Sequence, residues 1–316
     1  MAAIVAVTDT ALDNDVLERE LARECGAEYR RADELGASLD GANVVFTNFK
    51  PLGADALGRL AAGAVVIRYG VGVDNVDLAA AAAAGVRVCN VPDYGSQVVA
   101  DHTVTLALML VRRVRDFDAL MHRGEQPTAD GLGPIPSLDT LTVGLVGAGR
   151  IARLAAERFR TFGCTVVAAD PYADAAEPIE LVSQQRLLAG SDVISLHAPL
   201  TEQTHHLIDD AAFASMRRGV YLINTARGGL IDHPALVRAL DAGIVAGAAL
   251  DVTEPEPLAP DAPLRRRSQV ILTPHAAFYS TESMQRLQRL AVDEGRRALT
   301  GQPLRSPVSL PDRASQ

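Results

Sequence analysis

The chain has 316 residues, a formal net charge of −9, a pI near 5.3 and a hydrophobic content of 48%. Length and apolar content suit two packed cores, whereas the acidic balance excludes direct nucleic-acid binding through a basic surface. No stretch approaches the roughly 18 uninterrupted apolar residues of a membrane span, and the start lacks the charge and apolar length of a signal peptide. Cys25, Cys89 and Cys164 share no disulfide or metal spacing, so a reducing, cytoplasmic setting is expected.

Residues 1 to about 95 alternate between strands and helices. Strands are predicted at 4–7, 42–46, 65–67 and 86–90, and helices at 15–23, 54–61 and 79–84, the last stopped by Gly85. Such alternation implies a parallel sheet covered by helices. A long helical pattern then runs from Gln97 to His122, with Val104, Leu108, Val111 and Val114 on one face. The Gly- and Pro-rich stretch 124–139 reads as a loop.

A second alternating series follows, with strands near 142–147, 164–169, 192–196, 219–223, 245–250 and 269–273. Six such strands fit a doubly wound parallel sheet of Rossmann type. A last helix over 281–299 carries Arg286, Arg289, Arg296 and Arg297, and a polar, Pro-containing tail beyond Gly301 is expected to fray. The last helix lies outside the second series and is free to return to the first domain. The expected division is therefore a discontinuous substrate domain, 1–97 plus 282–316, interrupted by a dinucleotide-binding domain, 98–281. A cleft between them is the natural place for substrate.

The stretch Leu141-Thr-Val-Gly-Leu-Val-Gly147-Ala-Gly149-Arg-Ile-Ala152 runs from an apolar strand through glycines into a helix. Gly147 permits the tight turn, Gly149 lets the backbone approach a pyrophosphate, and the first helix amides face the anion. The next strand ends in Asp170, 21 positions past Gly149 and placed to accept hydrogen bonds from ribose hydroxyls. Pro171 and Tyr172 follow, with no adjacent arginine for a 2′-phosphate, so NAD is expected rather than NADP.

Three consecutive strand ends carry the candidate chemistry. Arg227 lies in Asn224-Thr-Ala-Arg-Gly-Gly, Glu256 in Asp251-Val-Thr-Glu-Pro-Glu-Pro, and His275 in Leu272-Thr-Pro-His-Ala-Ala-Phe-Tyr. A permanently charged guanidinium can hold a substrate carboxylate and polarise its carbonyl. His275 can exchange the proton of the substrate oxygen while nicotinamide exchanges hydride with C2. Glu256, hydrogen-bonded to His275, favours the imidazolium.

With those motifs in view, the chain resembles the D-isomer-specific 2-hydroxyacid dehydrogenases. Asn224-Thr-Ala-Arg-Gly-Gly, Ala249-Leu-Asp-Val and Thr273-Pro-His-Ala-Ala-Phe-Tyr-Ser are similar to the C-terminal-binding-protein-like branch in particular. Arg68-Tyr-Gly-Val-Gly-Val-Asp74-Asn75 and Asn90-Val-Pro extend the match over nearly the full length. The resemblance implies a flavodoxin-like substrate domain around an inserted Rossmann domain, a homodimer, and a small 2-oxo or 2-hydroxy acid as substrate. It also implies an Arg227–Glu256–His275 triad with His275 as acid/base. The amides of Val71 and Gly72 would bind the substrate carboxylate, Asp251 the nicotinamide carboxamide, and Arg150 and Ile151 the pyrophosphate. His197, Ala198, Pro199, Thr204, Thr225, Ala226 and His275 are also assigned to the cofactor side. The sequence departs from the pattern in having no tryptophan, in a short Pro-rich segment before the nucleotide fold where relatives often carry one, so that a different dimer arm is expected, and in Phe278, where the C-terminal-binding proteins carry tryptophan.

Lys50 is the only lysine, and with Arg68 it follows a strand end of the first domain, where either could read an anionic substrate group. His205 and His206 are read as solvated loop residues, because no cysteine or carboxylate completes a metal set, and no metal is expected. His102 is read as structural, and His122 and His233 as exposed. Two other functions share the cofactor site: an NAD(H)-responsive protein-interaction module of corepressor type, and an oxidoreductase acting on a phosphonate or inorganic anion.

Overall fold

Strands covered by helices on both faces are mostly apolar, and Val44–Thr47 and Val193–Leu196 are buried at every position. The computed structural model describes residues 2–12, 14–173 and 178–311, and its chain divides after Gly95 and after Phe278 into two compact units.

The first unit begins with β1 (Ile4–Val7), α1 (Val16–Glu24), β2 (Glu28–Arg31), β3 (Val44–Thr47), α2 (Ala54–Leu57), β4 (Val65–Arg68), α3 (Leu78–Ala84) and β5 (Arg87–Cys89). All pairings are parallel, in the order β2-β1-β3-β4-β5, which is the flavodoxin-like arrangement. Strand β2 is absent from the sequence reading for a physical reason. Its Glu-Tyr-Arg-Arg lies at the sheet edge with no buried residue, so it carries no apolar signal.

The second unit contains α4 (Ser96–Val111), α5 (Val114–His122), β6 (Thr142–Val146), α6 (Arg150–Thr161), β7 (Thr165–Ala169), β8 (Glu180–Leu181), α7 (Gln184–Gly190), β9 (Val193–Leu196), α8 (Asp210–Ser215), β10 (Val220–Asn224), α9 (His233–Asp241), β11 (Val245–Leu250) and β12 (Val270–Leu272). Its seven parallel strands run β12-β11-β10-β9-β6-β7-β8. Between β6 and β9 the winding reverses, and a doubly wound sheet binds ligands at the carboxyl ends of its strands beside such a point. One long helix was expected over 97–122. Instead Arg113 takes a left-handed backbone, φ 52°, and separates α4 from α5; its side chain bonds Asp116 at 2.8 Å and the Leu132 carbonyl.

The final helix, α10 (Thr281–Leu299), belongs to the first unit and packs on α1, β3 and β4. Beneath its apolar face the buried Glu18 accepts hydrogen bonds from the Tyr69 hydroxyl and, at 2.9 Å, from Gln288 Nε2. Burial pushes the Glu18 carboxyl up, and the two donors oppose that shift. The tail is better held than expected. Val308 donates to the Val88 carbonyl at 2.8 Å, and the buried Glu294 accepts from the amides of Arg305 and Ser306 at 2.8 and 3.0 Å. Its last residues, 312–316, lie outside the described residues. Removing the shared acceptor leaves the buried Tyr69 hydroxyl without its partner and Gln288 with only the longer bonds to Asn14, so Glu18→Ala should destabilise the chain by about 1–3 kcal/mol in urea unfolding followed by circular dichroism. A change below about 0.5 kcal/mol, the scale of an ordinary surface substitution, would show the cluster to be energetically idle.

Candidate active site

The glycine turn is set by what a side chain would strike. Gly147 has φ 100°, and a Cβ there would lie 2.9 Å from the His197 carbonyl carbon and oxygen. A Cβ on Gly149 would meet nothing within 4 Å, so the backbone opening α6 faces free space. Arg150 and Ile151 are the first residues of α6, and their amides have no acceptor within the helix. Asp170, at the end of β7, accepts from the Ala148 amide through Oδ2 and from the Tyr172 amide through Oδ1, both at 2.9 Å.

The three chemical candidates sit on loops after β10, β11 and β12. After β10, the buried Asn224 accepts from the Ala226 amide at 3.0 Å and donates to the Arg227 carbonyl at 2.8 Å, which holds the Arg227 turn. The loops after β10 and β11 approach so closely that a Cβ on Gly228 would fall 2.0 Å from the Thr253 carbonyl carbon. His275 Nδ1 and Glu256 Oε1 are 2.6 Å apart. Partial burial raises the Glu256 carboxyl, but the His275 hydrogen bond and the charges of His275 and Arg227 outweigh it and hold the group below its ordinary value. Phe278 stands edge-on to His275, with ring centroids 5.8 Å apart and 77° between planes.

Asp251 organises the His275 loop. It is 2% exposed; Oδ1 accepts from the Ala276 amide at 2.8 Å and from the Thr273 hydroxyl, and Oδ2 from the Ala277 amide at 2.9 Å. Its own carbonyl receives the His275 amide at 2.8 Å, and His275 adopts φ 53°. His102, from α4, reaches the same group, with Nε2 3.3 Å from Thr273 Oγ1. The sequence reading assigns Asp251 to the cofactor; this loop-ordering part was missed, since the Asp251 to Ala277 hydrogen bond joins positions 26 apart.

Residues 104–277, more than half of the chain, match the D-isomer specific 2-hydroxyacid dehydrogenase, NAD binding domain. The chain belongs to this family. It is 42% identical over 234 residues to D-3-phosphoglycerate dehydrogenase 2, chloroplastic, of Arabidopsis thaliana; the match covers 73% of this chain and 37% of that protein's length. The TT0316 protein from Thermus thermophilus is similar over 97% of this chain and 100% of its own, with a TM-score of 0.87 and 37% identity. D-lactate dehydrogenase from Aquifex aeolicus, complexed with NAD and lactic acid, matches with a TM-score of 0.83 and 28% identity over 94% of this chain and 96% of its own.

The residues of this family member fit NAD. Gly147 makes a tight turn against His197 that no side chain would fit, the backbone at Gly149 opening α6 borders free space, and Asp170 stands at the next strand end. Of the other expected cofactor residues, His197 and Ala198 lie against Gly147. Ser195 Oγ and His197 Nε2 lie 2.9 Å apart, and Thr225 shares a 2.8 Å hydrogen bond with Thr103 of α4. Ala226 is half-buried, held by Asn224. Thr204 turns onto its own loop, donating to the Pro199 carbonyl at 2.7 Å, while Ala198 is half-buried and Pro199 exposed.

In the first unit, the Lys50 ammonium donates to the Asp33 carbonyl, and its amide to Asp9 Oδ2 at 3.2 Å. The Arg68 guanidinium lies 5.9 Å from the Phe49 ring centroid. Val71 is half exposed; its carbonyl accepts from Asn90 Nδ2 at 2.7 Å, and Gly72 follows it on the same loop. Two readings of histidines need correction. His233 is half-buried rather than exposed, because it opens α9 under the 254 loop, and burial lowers its pKa. His205 and His206 do meet a carboxylate, that of Glu254, which lies 48 positions beyond His206 and is brought in by the fold.

Burial lowers His197 to about 4 from the ordinary 6.5. The native state keeps it neutral while the unfolded chain takes up a proton below 6.5. Its stabilising contribution is therefore complete above pH 6.5 and is lost as pH falls towards 4, up to about 3 kcal/mol. His197→Gln should flatten that part of a stability-versus-pH curve; an equally steep fall in the variant would remove His197 as its source.

Proposed function

We propose that the chain is an NAD-dependent oxidoreductase that interconverts a D-2-hydroxy acid and its 2-oxo acid. The observation that carries this reading is the 2.6 Å His275–Glu256 hydrogen bond, with the Arg227 charge near enough to draw down the Glu256 carboxyl. Arg227 grips the substrate carboxylate with its fork of donors and polarises the C2 carbonyl. Glu256 occupies His275 Nδ1, which leaves Nε2 to give a proton to the carbonyl oxygen in reduction and take it from the hydroxyl in oxidation. The imidazolium that forms in oxidation is compensated by the Glu256 carboxylate. Phe278 packs edge-on against the ring. When bound, NAD supplies the hydride acceptor for oxidation and, reduced, the hydride donor for reduction.

The assignment of NAD over NADP is supported by the Asp170 carboxylate, which would repel a 2′-phosphate, and by Pro171 and Tyr172 where an arginine would be needed. Cofactor binding is assigned to the domain at 98–281 and substrate recognition to 1–97 plus 282–316. In the latter, the amides of Val71 and Gly72 and the Arg68 guanidinium are assigned to the substrate acid. Lys50 has one donor on Asp33 and two left for a second anionic group. The motifs around Arg227, Asp251 and His275 support placement near the C-terminal-binding-protein-like branch. A homodimer is supported by α5, which has no buried residue and leaves Val114 and Met121 half exposed for a second copy. A cytoplasmic setting is supported by three free cysteines, and no helix among the described residues is long and apolar enough to cross a membrane.

With NADH and a panel of 2-oxo acids, the wild-type chain should turn over at least one. His275→Ala should lower kcat for that acid by roughly 10²–10⁴-fold. Turnover of none, or a variant as fast as wild type, would contradict the reading.

A further inference from the structure

Two imidazoles and a carboxylate from separate loops of the second unit converge at one place. His205 and His206 stack with ring centroids 3.9 Å apart and 24° between planes. Their Nε2 atoms lie 3.1 and 3.2 Å from the same oxygen, Oε2 of Glu254, and the three ligand atoms are all within 4.8 Å of one another. Donors about 2.0–2.1 Å from a shared cation and about 90–110° apart are separated by roughly 2.9–3.4 Å, which matches both nitrogen–oxygen distances. We propose that His205, His206 and Glu254 form a binding site for a divalent cation of the zinc class, with water completing the coordination.

The local backbone is built for this convergence. Neighbouring side chains in an extended segment point apart. Here His206 has φ 52°, a left-handed conformation unusual for a residue other than glycine, and both rings fall on one side. The turn is held by the His205 amide on the Thr201 carbonyl at 2.9 Å and the His206 amide on the Gly229 carbonyl at 2.7 Å. Glu254 is fixed from the other side, with Oε1 so close over Gly229 that a Cβ there would lie 2.9 Å from it, which leaves Oε2 for the histidines. His233 adds a third imidazole nearby. Its buried Nε2 has no hydrogen-bond partner. Two imidazole nitrogens with one carboxylate favour zinc, cobalt or nickel over magnesium or calcium. The three side chains are 41–47% exposed, so a cation has a route in.

The cation would join the 201–208 loop to the loop that carries Glu256, since Glu254 is two residues from it. It touches none of the three catalytic candidates, and the proposal does not depend on the reaction assigned above. The test uses the untagged full chain, stripped with chelator and titrated with ZnCl2 by calorimetry and with Co2+ by visible absorption. One ion per chain should bind, Zn2+ should raise the Tm, and Co2+ should develop the intense visible bands of low-coordinate nitrogen–oxygen ligation. His205→Ala and Glu254→Gln should each weaken binding by roughly tenfold or more and abolish the Tm shift, while His275→Ala should keep both. Circular dichroism checks that each variant is folded; both positions are exposed. Absence of saturable binding in the wild type, or binding unchanged in a His205→Ala/His206→Ala double variant, would overturn the site.

Discussion

The candidate active site depends on one buried carboxylate. Burying a charge is costly unless donors surround it, and Asp251 is met by the amides of Ala276 and Ala277 and by the Thr273 hydroxyl. Its amide also donates to the Asn224 carbonyl at 2.9 Å, which links the end of β10 to the end of β11. A single residue thereby fixes the loop after β12, including the left-handed turn that presents His275 to Glu256. The hydrogen bonds are short-range and directional, so the geometry they impose is narrow.

Around this anchor the other loops are fitted by the absence of side chains. Gly228 lets the Arg227 loop lie against the Thr253 carbonyl, and Gly147 lets the first turn of the dinucleotide fold lie against His197. Neither contact supplies chemistry. Together they set where a guanidinium, an imidazole and a cofactor cradle stand within one parallel sheet, and the family relationship of residues 104–277 places that sheet among NAD-binding domains.

Much of this was legible in the sequence, because the features that announce it are local. The apolar runs at 142–147 and 192–196 mark strands buried on both faces, and the spacing from Gly149 to Asp170 follows from one strand-helix-strand unit. The features that escaped are those without a local signal. Strand β2 is charged and β8 only two residues long; the break at Arg113 depends on a side chain reaching the 132 carbonyl; and the tail is held by Glu294. The same holds for Glu254, whose meeting with His205 and His206 joins positions 48 and 49 apart, and for Asp251, whose partners lie up to 26 residues ahead. Sequence spacing identifies residue types at strand ends; only the fold shows which of them touch.

The central claim is that this chain passes a hydride to C2 of a 2-oxo acid and forms the D product. The most direct measurement is incubation of the chain with C4-deuterated NADH and a 2-oxo acid that it turns over, followed by chiral chromatography and mass analysis of the hydroxy acid. A D-hydroxy acid carrying deuterium at C2 is expected. An L product, or a product without deuterium when both C4 positions of the nicotinamide are labelled, would contradict it.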